Sequence, residues 1–573
     1  MAKIGVFVCH CGHNIAGTVD VHSVVEEVLR HPDVGFAIDY KYMCSDPGQQ
    51  LIKDSILEHG LDGVVVAACS PAMHETTFRR TVSGAGINPY RCESANIREQ
   101  VSWVHQKDPV SATSKATAIT RSIVEKVKHN EELQPLTMPV TQRVLVIGGG
   151  IAGMQAALDI ADAGYPVILV ERVGHLGGNM ARLSGTYINF TAASGLLQRK
   201  INRIESHPMI QVLTGARLAE LSGYVGNFKA RLELVDGSLE ANSFNFEVGA
   251  VVVATGWQPY DLKKLPEYGS GMITDVVDSL AFEQMLASGE AVRRPSDGTI
   301  AREIVFVQCA GSRDREHGVA YCSKVCCMTV AKQAMLYKER VPESQVYVFY
   351  IDIRSAGKGY DEYVQRAMTD HQVLYLRGKV SKVFRESNDA GGKVIVWGAD
   401  TLSDRTVEIA ADLVVLATPM VPASGSAELG QLLHISTDAY GFFNEAHPKL
   451  RPVETLTAGI FLAGVGQGPK DIPETVAQAS GAAAKVLQLF SKDEMTSSPM
   501  IATVIDELCA ACGACVEVCP YSAREIHPVW KIARVKAALC QNCGACVVAC
   551  PNKASQVHNW RPAQILAMID EVL

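Results

Sequence analysis

Apolar runs bounded by glycine and polar residues divide the first 130 residues into alternating strands and helices. Strands are predicted around residues 3–9, 35–43, 63–68 and 88–92, with helices at about 21–30, 47–59 and 74–84. This alternation is typical of an open parallel sheet, in which the carboxyl ends of the strands converge on one crevice. We therefore predict an α/β, Rossmann-like domain over residues 1–130.

A Pro-containing linker, residues 131–142, leads to a second pattern that starts with a fully apolar strand at residue 143. The strand runs into Gly148, Gly150 and Gly153, spaced as G-x-G-x-x-G, and then into a predicted helix. Glycines at this spacing permit a tight turn and let helix N–H groups approach a pyrophosphate. We predict that this turn binds a dinucleotide.

The next apolar strand supports the same interpretation, because it ends in an acid 18 residues after the last of these glycines. Glu171 lies where a carboxylate meets ribose hydroxyls in such domains. Arg172 and the pair Gly177-Gly178 follow, as in many FAD domains. We predict FAD at this site, with NAD as the alternative occupant.

Two later segments resemble strands that return to an FAD domain. One ends in Ala254-Thr255-Gly256, and the other ends at Gly464, where Val465 replaces the usual aspartate. We expect Thr255, Gly256 and the backbone of Gly464 to contact the flavin dinucleotide. The order of these sequence motifs along the chain predicts a thioredoxin-reductase-like fold with two dinucleotide-type domains over residues 143–490.

The second dinucleotide site of that fold is altered in this chain. The strand Glu303–Gln308 is followed by Cys309 and not by a G-x-G-x-x-G turn. Four cysteines occur close together in residues 309–327, and they are able to hold one [4Fe–4S] cluster beside the flavin. Buried thiols or an adventitious zinc ion are the alternatives. The predicted ligands are Cys309, Cys322, Cys326 and Cys327.

Composition and charge narrow the class of protein further. The chain has 573 residues, a net charge of −8 and 17 cysteines. It lacks a Lys/Arg run, an apolar run of membrane-spanning length and a start that resembles a signal peptide. We therefore expect a cytoplasmic protein without a nucleic acid partner, in which thiols stay reduced and gather around metal.

The C-terminal residues 491–573 are predicted to form an α+β ferredoxin domain with a C-terminal helix. They hold two copies of C-x2-C-x2-C-x3-C-P, the spacing of two-cluster ferredoxins, in which the fourth cysteine of each copy binds the other cluster. A zinc ribbon is the alternative, but it needs only four ligands. The first predicted ligand set is Cys509, Cys512, Cys515 and Cys550, and the second is Cys540, Cys543, Cys546 and Cys519.

Cysteines also follow the predicted strands of the N-terminal domain. Their positions at strand ends predict a fourth cluster in the crevice, held by Cys9, Cys11, Cys44 and Cys69. His10 and His13 leave a zinc site open, whereas His74 and His105 are expected to be structural. Cys92 is the one cysteine without a predicted role.

Several phrases together make the chain resemble the HdrA family, the flavin-containing component of heterodisulfide reductases. The phrases are Val8-Cys-His-Cys-Gly12, Tyr42-Met-Cys-Ser-Asp-Pro47, Ala95-Asn-Ile-Arg-Glu-Gln100, Gln308-Cys-Ala-Gly-Ser-Arg313 and Gln467-Gly-Pro-Lys-Asp-Ile-Pro473. The resemblance implies an anaerobe's iron–sulfur flavoprotein that performs electron bifurcation, in methanogenesis or a related metabolism. It also implies a lysine, here Lys332, near flavin N5, where a cation stabilises the reduced ring. A surface lysine on a helix is the alternative.

The same resemblance implies partners. A hydrogenase or formate dehydrogenase with an MvhD-like iron–sulfur component supplies electrons, which pass to ferredoxin and to HdrB- and HdrC-like subunits. A homodimer within a larger complex is also implied. Longer family members carry an inserted ferredoxin domain between the Gly177-Gly178 turn and Thr255, where this chain has no cysteine. Four clusters are therefore expected, and electron wiring without bifurcation and an NAD(P)H oxidoreductase remain alternative functions.

Overall fold

The computed structural model of the chain describes residues 3–235, 243–385 and 392–573. Residue contacts group the chain into two compact units. One unit combines Met1–Met138 with Thr496–Leu573, and the other is Pro139–Met495. The domain boundaries predicted at residues 130, 142 and 490 stay predictions, and residues 1–2 of the first domain lie outside the described chain. Among the described residues, no helix combines the length and hydropathy that a membrane span requires.

The N-terminal part of the first unit is a four-stranded parallel sheet. In spatial order its strands are Val34–Tyr40, Ile4–Cys9, Gly63–Ala68 and Cys92–Asn96. Its helices are Val21–Val28, Asp46–His59, Pro71–Ser83 and Pro109–Lys128. Local sequence fixes these bounds: Ser45 Oγ accepts the Gly48 N–H at one helix start, and Gly60 ends the same helix in the left-handed conformation.

The fourth strand differs from its predicted position at residues 88–92. Residues Pro89–Arg91 form a short 3-10 helix, and the strand begins at Cys92. The strand pairs in parallel with its neighbour, so that Cys92 lies opposite Val64 and Asn96 opposite Ala68. Cys92 therefore lies at the start of the strand, away from the carboxyl ends.

The C-terminal part of the first unit has two small antiparallel sheets. Ala502–Val504 pairs with Ser555–Val557, and Arg524–Ile526 pairs with Ala533–Val535. The helices are Ala514–Glu517, Ala545–Val548 and the predicted C-terminal helix, Pro562–Asp570. That last helix packs on Pro109–Lys128 of the N-terminal part, which explains why the first and last segments of the chain form one unit.

The second unit contains two five-stranded parallel sheets, as the two-dinucleotide-domain prediction requires. The first sheet has the order Ile460–Leu462, Ala250–Val253, Val144–Ile147, Val167–Glu171 and Ile210–Thr214. The second has the order Val276–Asp278, Leu413–Leu416, Glu303–Val307, Gln345–Tyr350 and Leu374–Arg377. The predicted α/β class of the flavin region is confirmed.

Helices cover these sheets, and smaller antiparallel layers extend them. The long helices are Ile151–Asp162, Ala193–Ser206, Ser279–Ala287, Cys326–Arg340, Tyr360–Thr369 and Ile472–Phe490, with a shorter one at Ser426–Leu432. Three-stranded layers are formed by Ala216–Tyr224, Asn227–Leu234 and Ser243–Val248, and by Val380–Phe384, Val394–Asp400 and Arg405–Ala411. Trp257–Pro259 pairs with Met420–Pro422.

Candidate cofactor sites

The glycine-rich turn joins the central strand of the first sheet to the Ile151–Asp162 helix. Gly148 has φ +110°, and a Cβ there would lie 2.4 Å from the Ala254 oxygen. A Cβ on Gly153 would lie 1.8 Å from the Gly148 oxygen, so this position requires glycine for close packing of helix and strand. A Cβ on Gly150 would meet only the Gly178 Cα, at 4.0 Å, which leaves room for a ligand to approach the backbone.

An elongated cavity of about 880 Å³ begins at this turn and runs between the two sheets of the unit. Most of the predicted dinucleotide-binding residues line it. These are Gly148, Gly150, Glu171, Arg172, Gly178, Thr255 and Gly256. The lining continues from the glycine turn to the Cys326–Arg340 helix, where it includes Cys326 and Lys332.

Three of the predicted residues lie outside the lining. Gly153 packs the helix, and the Gly177 N–H donates to the Gly149 oxygen at 2.9 Å. The Gly464 N–H donates to Gln478 Oε1 at 2.8 Å, and the Gly464 carbonyl accepts from Lys470 Nζ. At this strand end it is Val465 that lines the cavity.

Two polar groups test whether the cavity fits FAD. Thr255 Oγ1 is buried, and among the described residues it has no hydrogen-bond partner, as expected of a group that awaits a ligand. Glu171 Oε2 accepts the Gly149 N–H at 2.7 Å and Oε1 accepts the Val173 N–H at 2.9 Å, which holds the carboxylate beside the turn and leaves one lone pair on each oxygen available. Together with the open approach at Gly150, these groups fit a flavin dinucleotide.

Lys332 lies in the lining of the same cavity, on the Cys326–Arg340 helix. It is only 2% exposed, which rules out the alternative of a surface lysine. Lys332 Nζ donates to Glu283 Oε2 and to the Gly185 oxygen, each at 2.7 Å. Burial lowers the pKa of Lys332, although the Glu283 carboxylate opposes that shift. The ammonium group is thus held in place from two sides.

A second polar group in the lining was missed by the sequence reasoning. Asp471 Oδ2 accepts hydrogen bonds from the hydroxyls of Tyr187 and Tyr360, both at 2.7 Å. Asp471 Oδ1 accepts the Glu474 N–H and caps the Ile472–Phe490 helix. The available signal was the phrase Gln467–Pro473, which contains Asp471 and contributes to the family resemblance.

Lys470, the neighbour of Asp471, is also buried in the lining. Its Nζ donates to the Gly464 oxygen, to Gln467 Oε1 and to the Gly468 oxygen, at 3.0, 2.9 and 2.7 Å. All three acceptors are neutral. Burial therefore dominates and lowers the pKa of Lys470 to about 8.

The four cysteines of residues 309–327 come together at the flavin end of the cavity. Cys309 follows its strand with φ +59°, and Cys326 begins the helix and lines the cavity. Burial raises the pKa of Cys326, and the charges of the other three thiols raise it further. Cys327 Sγ donates to Oε1 of Gln308, the neighbour of Cys309, at 3.0 Å, and the Arg313 N–H donates to the oxygen of Tyr321, the neighbour of Cys322, at 3.1 Å, so direct contacts bring the four cysteine segments together.

The N-terminal cysteines meet at the carboxyl ends of the parallel strands. Cys9 Sγ accepts N–H groups from Cys11 and Met43, at 3.3 and 3.4 Å. Burial raises the pKa of Cys9, with further increases from Cys11 and Cys44, and burial raises that of Cys69 to about 11. All four predicted cysteines are therefore in one crevice. Cys92 is buried elsewhere, because its strand begins where the others are also beginning.

Of the histidines singled out in the sequence, His10 was considered for zinc, and His74 and His105 were expected to be structural. His10 Nε2 lies 2.6 Å from Asp39 Oδ2, and His105 Nε2 lies 3.2 Å from Lys115 Nζ. The His74 ring packs edge-on against Phe78. These contacts agree with structural roles.

The C-terminal cysteines surround two separate cavities. One cavity is lined by Cys509, Cys512, Cys515 and Cys550, and the other by Cys519, Cys540, Cys543 and Cys546. The fourth cysteine of each repeat thus lines the cavity that the first three cysteines of the other repeat surround. Backbone N–H groups of Ala533, Ala523 and Ala502 donate to Cys509, Cys519 and Cys540, at 3.3 to 3.4 Å.

The distances between the cysteine sulfur atoms can be compared with those of a zinc site. Tetrahedral Zn–S bonds of about 2.3 Å place sulfurs roughly 3.8 Å apart. In the described part of the chain, the only three ligand atoms of Cys, His, Asp or Glu within 4.8 Å of one another belong to His31, Asp33 and Glu125. In the described chain, no three of the cysteine sulfurs lie that close to one another, which is a wider spacing than a tetrahedral zinc site requires.

One further residue reaches a cysteine and was not predicted. Arg98 Nη1 lies 3.3 Å from Cys11 Sγ. Arg98 follows the fourth strand and lies inside the sequence phrase Ala95–Gln100. Because the sequence pattern placed the end of this strand at residue 92 and not at Asn96, it did not indicate that Arg98 reaches the crevice.

Comparisons with known proteins agree with these sites. Residues 143–258 match the family described as FAD dependent oxidoreductase, and residues 501–558 match the family described as 4Fe-4S dicluster domain. One of two iron-sulfur A subunits of the CoB–CoM heterodisulfide reductase of Methanopyrus kandleri is 40% identical over 599 residues, with 91% of each chain covered. The A subunit of the H(2):CoB-CoM heterodisulfide,ferredoxin reductase of Methanothermobacter marburgensis is 39% identical, with 91% of this chain and 90% of that one covered.

Among solved structures, two thioredoxin reductases cover 61% of this chain and 99% of their own. The protein from T. acidophilum is 16% identical with a TM-score of 0.40, and that from Lactococcus lactis is 18% identical with a TM-score of 0.42.

Proposed function

The chain belongs to the HdrA family of heterodisulfide reductase components, FAD and iron–sulfur oxidoreductases that transfer electrons, and from this premise we propose that it is the bifurcating component of such a complex. Pairs of electrons enter from a hydrogenase- or formate dehydrogenase-type donor through an MvhD-like iron–sulfur protein. One electron of each pair goes to ferredoxin and the other to HdrB- and HdrC-like subunits.

One observation carries this proposal: the dinucleotide turn and Cys326 line the same cavity. FAD supplies a centre that exchanges electrons in pairs or singly, and [4Fe–4S] clusters exchange them singly. A cluster bound by Cys326 in the wall of this cavity would lie next to the flavin and would exchange single electrons with it over a short distance.

The chain's own residues prepare this cavity. The turn at Gly148 and Gly150 and the start of the Ile151–Asp162 helix would hold the diphosphate of FAD with backbone N–H groups. Lys332, fixed by Glu283 and the Gly185 oxygen, presents a desolvated cation to the lining, where negative charge on a reduced ring is stabilised. The Tyr187, Asp471 and Tyr360 side chains close the lining on another side.

We propose four [4Fe–4S] clusters, each on four cysteines. The two sets of the ferredoxin region, the set at residues 309–327 and the N-terminal set account for every cysteine except Cys92. Their open spacing argues against zinc. Iron and acid-labile sulfide analysis of anaerobically purified protein tests this number, with about sixteen irons expected per chain.

The altered second sheet argues against NAD(P)H as the reductant. In this sheet, the strand Glu303–Val307 runs directly into Cys309 and the segment that holds the cysteines. Cysteines occupy the positions at which a phosphate-binding turn would otherwise lie. NADH is therefore expected to leave the flavin of the isolated chain oxidised.

The decisive experiment uses the purified complex with the donor, ferredoxin and a heterodisulfide acceptor. Bifurcation predicts ferredoxin reduction that depends strictly on the disulfide. A Cys326→Ala variant is expected to lose one cluster and this coupled reduction, whereas Cys92→Ala retains both, because Cys92 belongs to none of the four cysteine sets and lies at the start of its strand, away from the N-terminal crevice.

A second candidate is an electron-wiring module without bifurcation. The absence of cysteines between Gly178 and Thr255 favours it, since longer relatives have a ferredoxin insert there. The 599-residue alignment with the Methanopyrus kandleri relative, longer than this chain's 573 residues, also requires segments that this chain lacks. Disulfide reduction that proceeds equally well without ferredoxin would establish this candidate over the first.

A further inference from the structure

We propose that Arg98 is a positioning residue that raises the reduction potential of the N-terminal cluster through its contact with Cys11. The proposal rests on the proposed function, because it requires a cluster on Cys9, Cys11, Cys44 and Cys69. It concerns a residue to which the electron route described above gives no role.

The contact of Arg98 with the cysteine is direct and well supported. Its Nη1 donates to Cys11 Sγ at 3.3 Å, while Nε and Nη2 donate to Glu99 Oε1 at 3.1 and 2.7 Å. The guanidinium also stacks on the Trp103 ring, 4.8 Å from its centre. The side chain is 12% exposed, so its charge acts in a weakly screened environment.

Glu99 ties this arrangement to a second cysteine segment. Its Oε2 accepts the N–H of Ser70, the residue after Cys69, at 2.9 Å. The Glu99 N–H in turn donates to Asn96 Oδ1, at the end of the fourth strand. Arg98 and Glu99 thereby connect the segments of Cys11 and Cys69 to one another across the crevice.

The local backbone is unusual at this point. Residues Arg98–Ser102 form one turn of π-helix directly after the strand. Such turns are rare and often occur at functional sites. Here the turn carries two consecutive side chains at the crevice: Arg98 contacts Cys11 Sγ, and Glu99 accepts the N–H of Ser70, the residue after Cys69.

The sign of the effect follows from charge. Reduction adds one negative charge to a cluster and its thiolates, so a cation at a ligand sulfur stabilises the reduced form more than the oxidised form. Arg98 therefore raises the potential. Glu99 is an anion beside the same guanidinium and opposes it, so neutralising the two residues is expected to shift the potential in opposite directions.

Redox titration of the full chain, followed by electron paramagnetic resonance, tests this inference. The N-terminal signal is first identified as the one altered by Cys11→Ser. Arg98→Gln is expected to lower its midpoint by at least the equivalent of a tenfold change in the reduction equilibrium, about 59 mV for one electron. Arg98→Lys is expected to restore most of the shift, and Glu99→Gln to raise the midpoint.

Arg80→Gln is the matched control, because Arg80 is exposed on the Pro71–Ser83 helix. Equal midpoints in Arg98→Gln and this control would overturn the inference while leaving the proposed function intact. If Arg98→Gln loses the cluster, Glu99→Gln decides: a raised midpoint supports the inference, and an unchanged or lowered one refutes it. Absence of any signal sensitive to Cys11→Ser, with an iron content short by one cluster, would instead refute the proposed cluster itself.

Discussion

The ammonium group of Lys126 lies 3.9 Å from the centre of the Trp560 ring, which joins the first and last segments of the chain within one unit. Lys126 is 1% exposed, and its Nζ lies 2.6 Å from Glu93 Oε1. Burial lowers the pKa of Lys126, and Glu93 opposes this shift. The buried charge of Lys126 is therefore stabilised by both the Glu93 carboxylate and the Trp560 ring.

We predict that Glu93→Gln destabilises the first unit by about 3 kcal/mol, because it leaves the Lys126 charge buried without its counterion. Trp560→Leu is expected to cost about 1 kcal/mol, since only the ring contact is lost. Hydrogen exchange of the Pro109–Lys128 helix measures both values. Lys115→Met, an exposed change on the same helix, is the control, and a loss from it equal to that of Glu93→Gln would contradict the prediction.

Gly153→Ala is predicted to yield protein without FAD. The new methyl group would overlap the Gly148 oxygen, so the helix must move away from the turn that holds the diphosphate. The flavin absorbance of the purified protein measures this loss. Gly174→Ala should retain full flavin content, because nothing lies within 4 Å of a Cβ there. Normal flavin in both variants would show that the turn does not bind FAD.

FAD affinity is predicted to fall as pH rises through about 8. Lys470 is protonated below this value and loses its charge above it, since burial lowers its pKa to about 8. The protonated form is a cation in the cavity lining and attracts the negatively charged FAD, so binding is expected to raise the pKa of Lys470. If that increase is one unit, affinity falls roughly tenfold across the titration.

Fluorescence titration of the apoprotein with FAD between pH 6 and 10 measures this dependence. Lys470→Met should bind more weakly at pH 7 and show a flat profile. Lys485→Met, on the Ile472–Phe490 helix that follows Lys470 and outside the cavity lining, should keep the slope. A parent protein with constant affinity over this range would refute the assignment.

Asp471 and its two tyrosines are predicted to act as one unit. Asp471→Asn preserves a helix cap but offers an amide N–H₂ where two hydroxyls now donate, which is expected to cost about 2 kcal/mol. In a double-mutant cycle, Tyr187→Phe and Tyr360→Phe should each cost less in the Asp471→Asn background than in the parent. Thermal release of FAD provides the measurement, and strictly additive effects would show that the three side chains are independent.

The sequence predicted the sites whose residues are close together along the chain. The C-x2-C repeats and the G-x-G-x-x-G turn have a fixed spacing because short loops determine their geometry. The distribution of the eight C-terminal cysteines over two cavities followed from the repeat alone. The α/β class of the flavin unit likewise followed from apolar runs and glycine turns.

The residues that were missed act across long separations or depend on an exact strand end. Arg98 reaches Cys11 only because the fourth strand ends at Asn96, a few residues later than its pattern indicated. Tyr187 and Tyr360 meet at Asp471 from separate segments, and no periodicity marks either tyrosine. Val465 lines the cavity although it lacks a polar group, and a motif based on an aspartate gives no signal for it.

The first unit has a consequence for biosynthesis, because its two parts are separated in the chain by the whole of Pro139–Met495. The ribosome releases the Pro109–Lys128 helix long before it makes the Pro562–Asp570 helix that packs on it. Lys126 therefore has no aromatic partner until Trp560 is synthesised, and by then the intervening unit has already had time to fold. Assembly of the first unit thus requires synthesis through the Pro562–Asp570 helix, and a product truncated before Trp560 would leave this buried lysine without its aromatic partner.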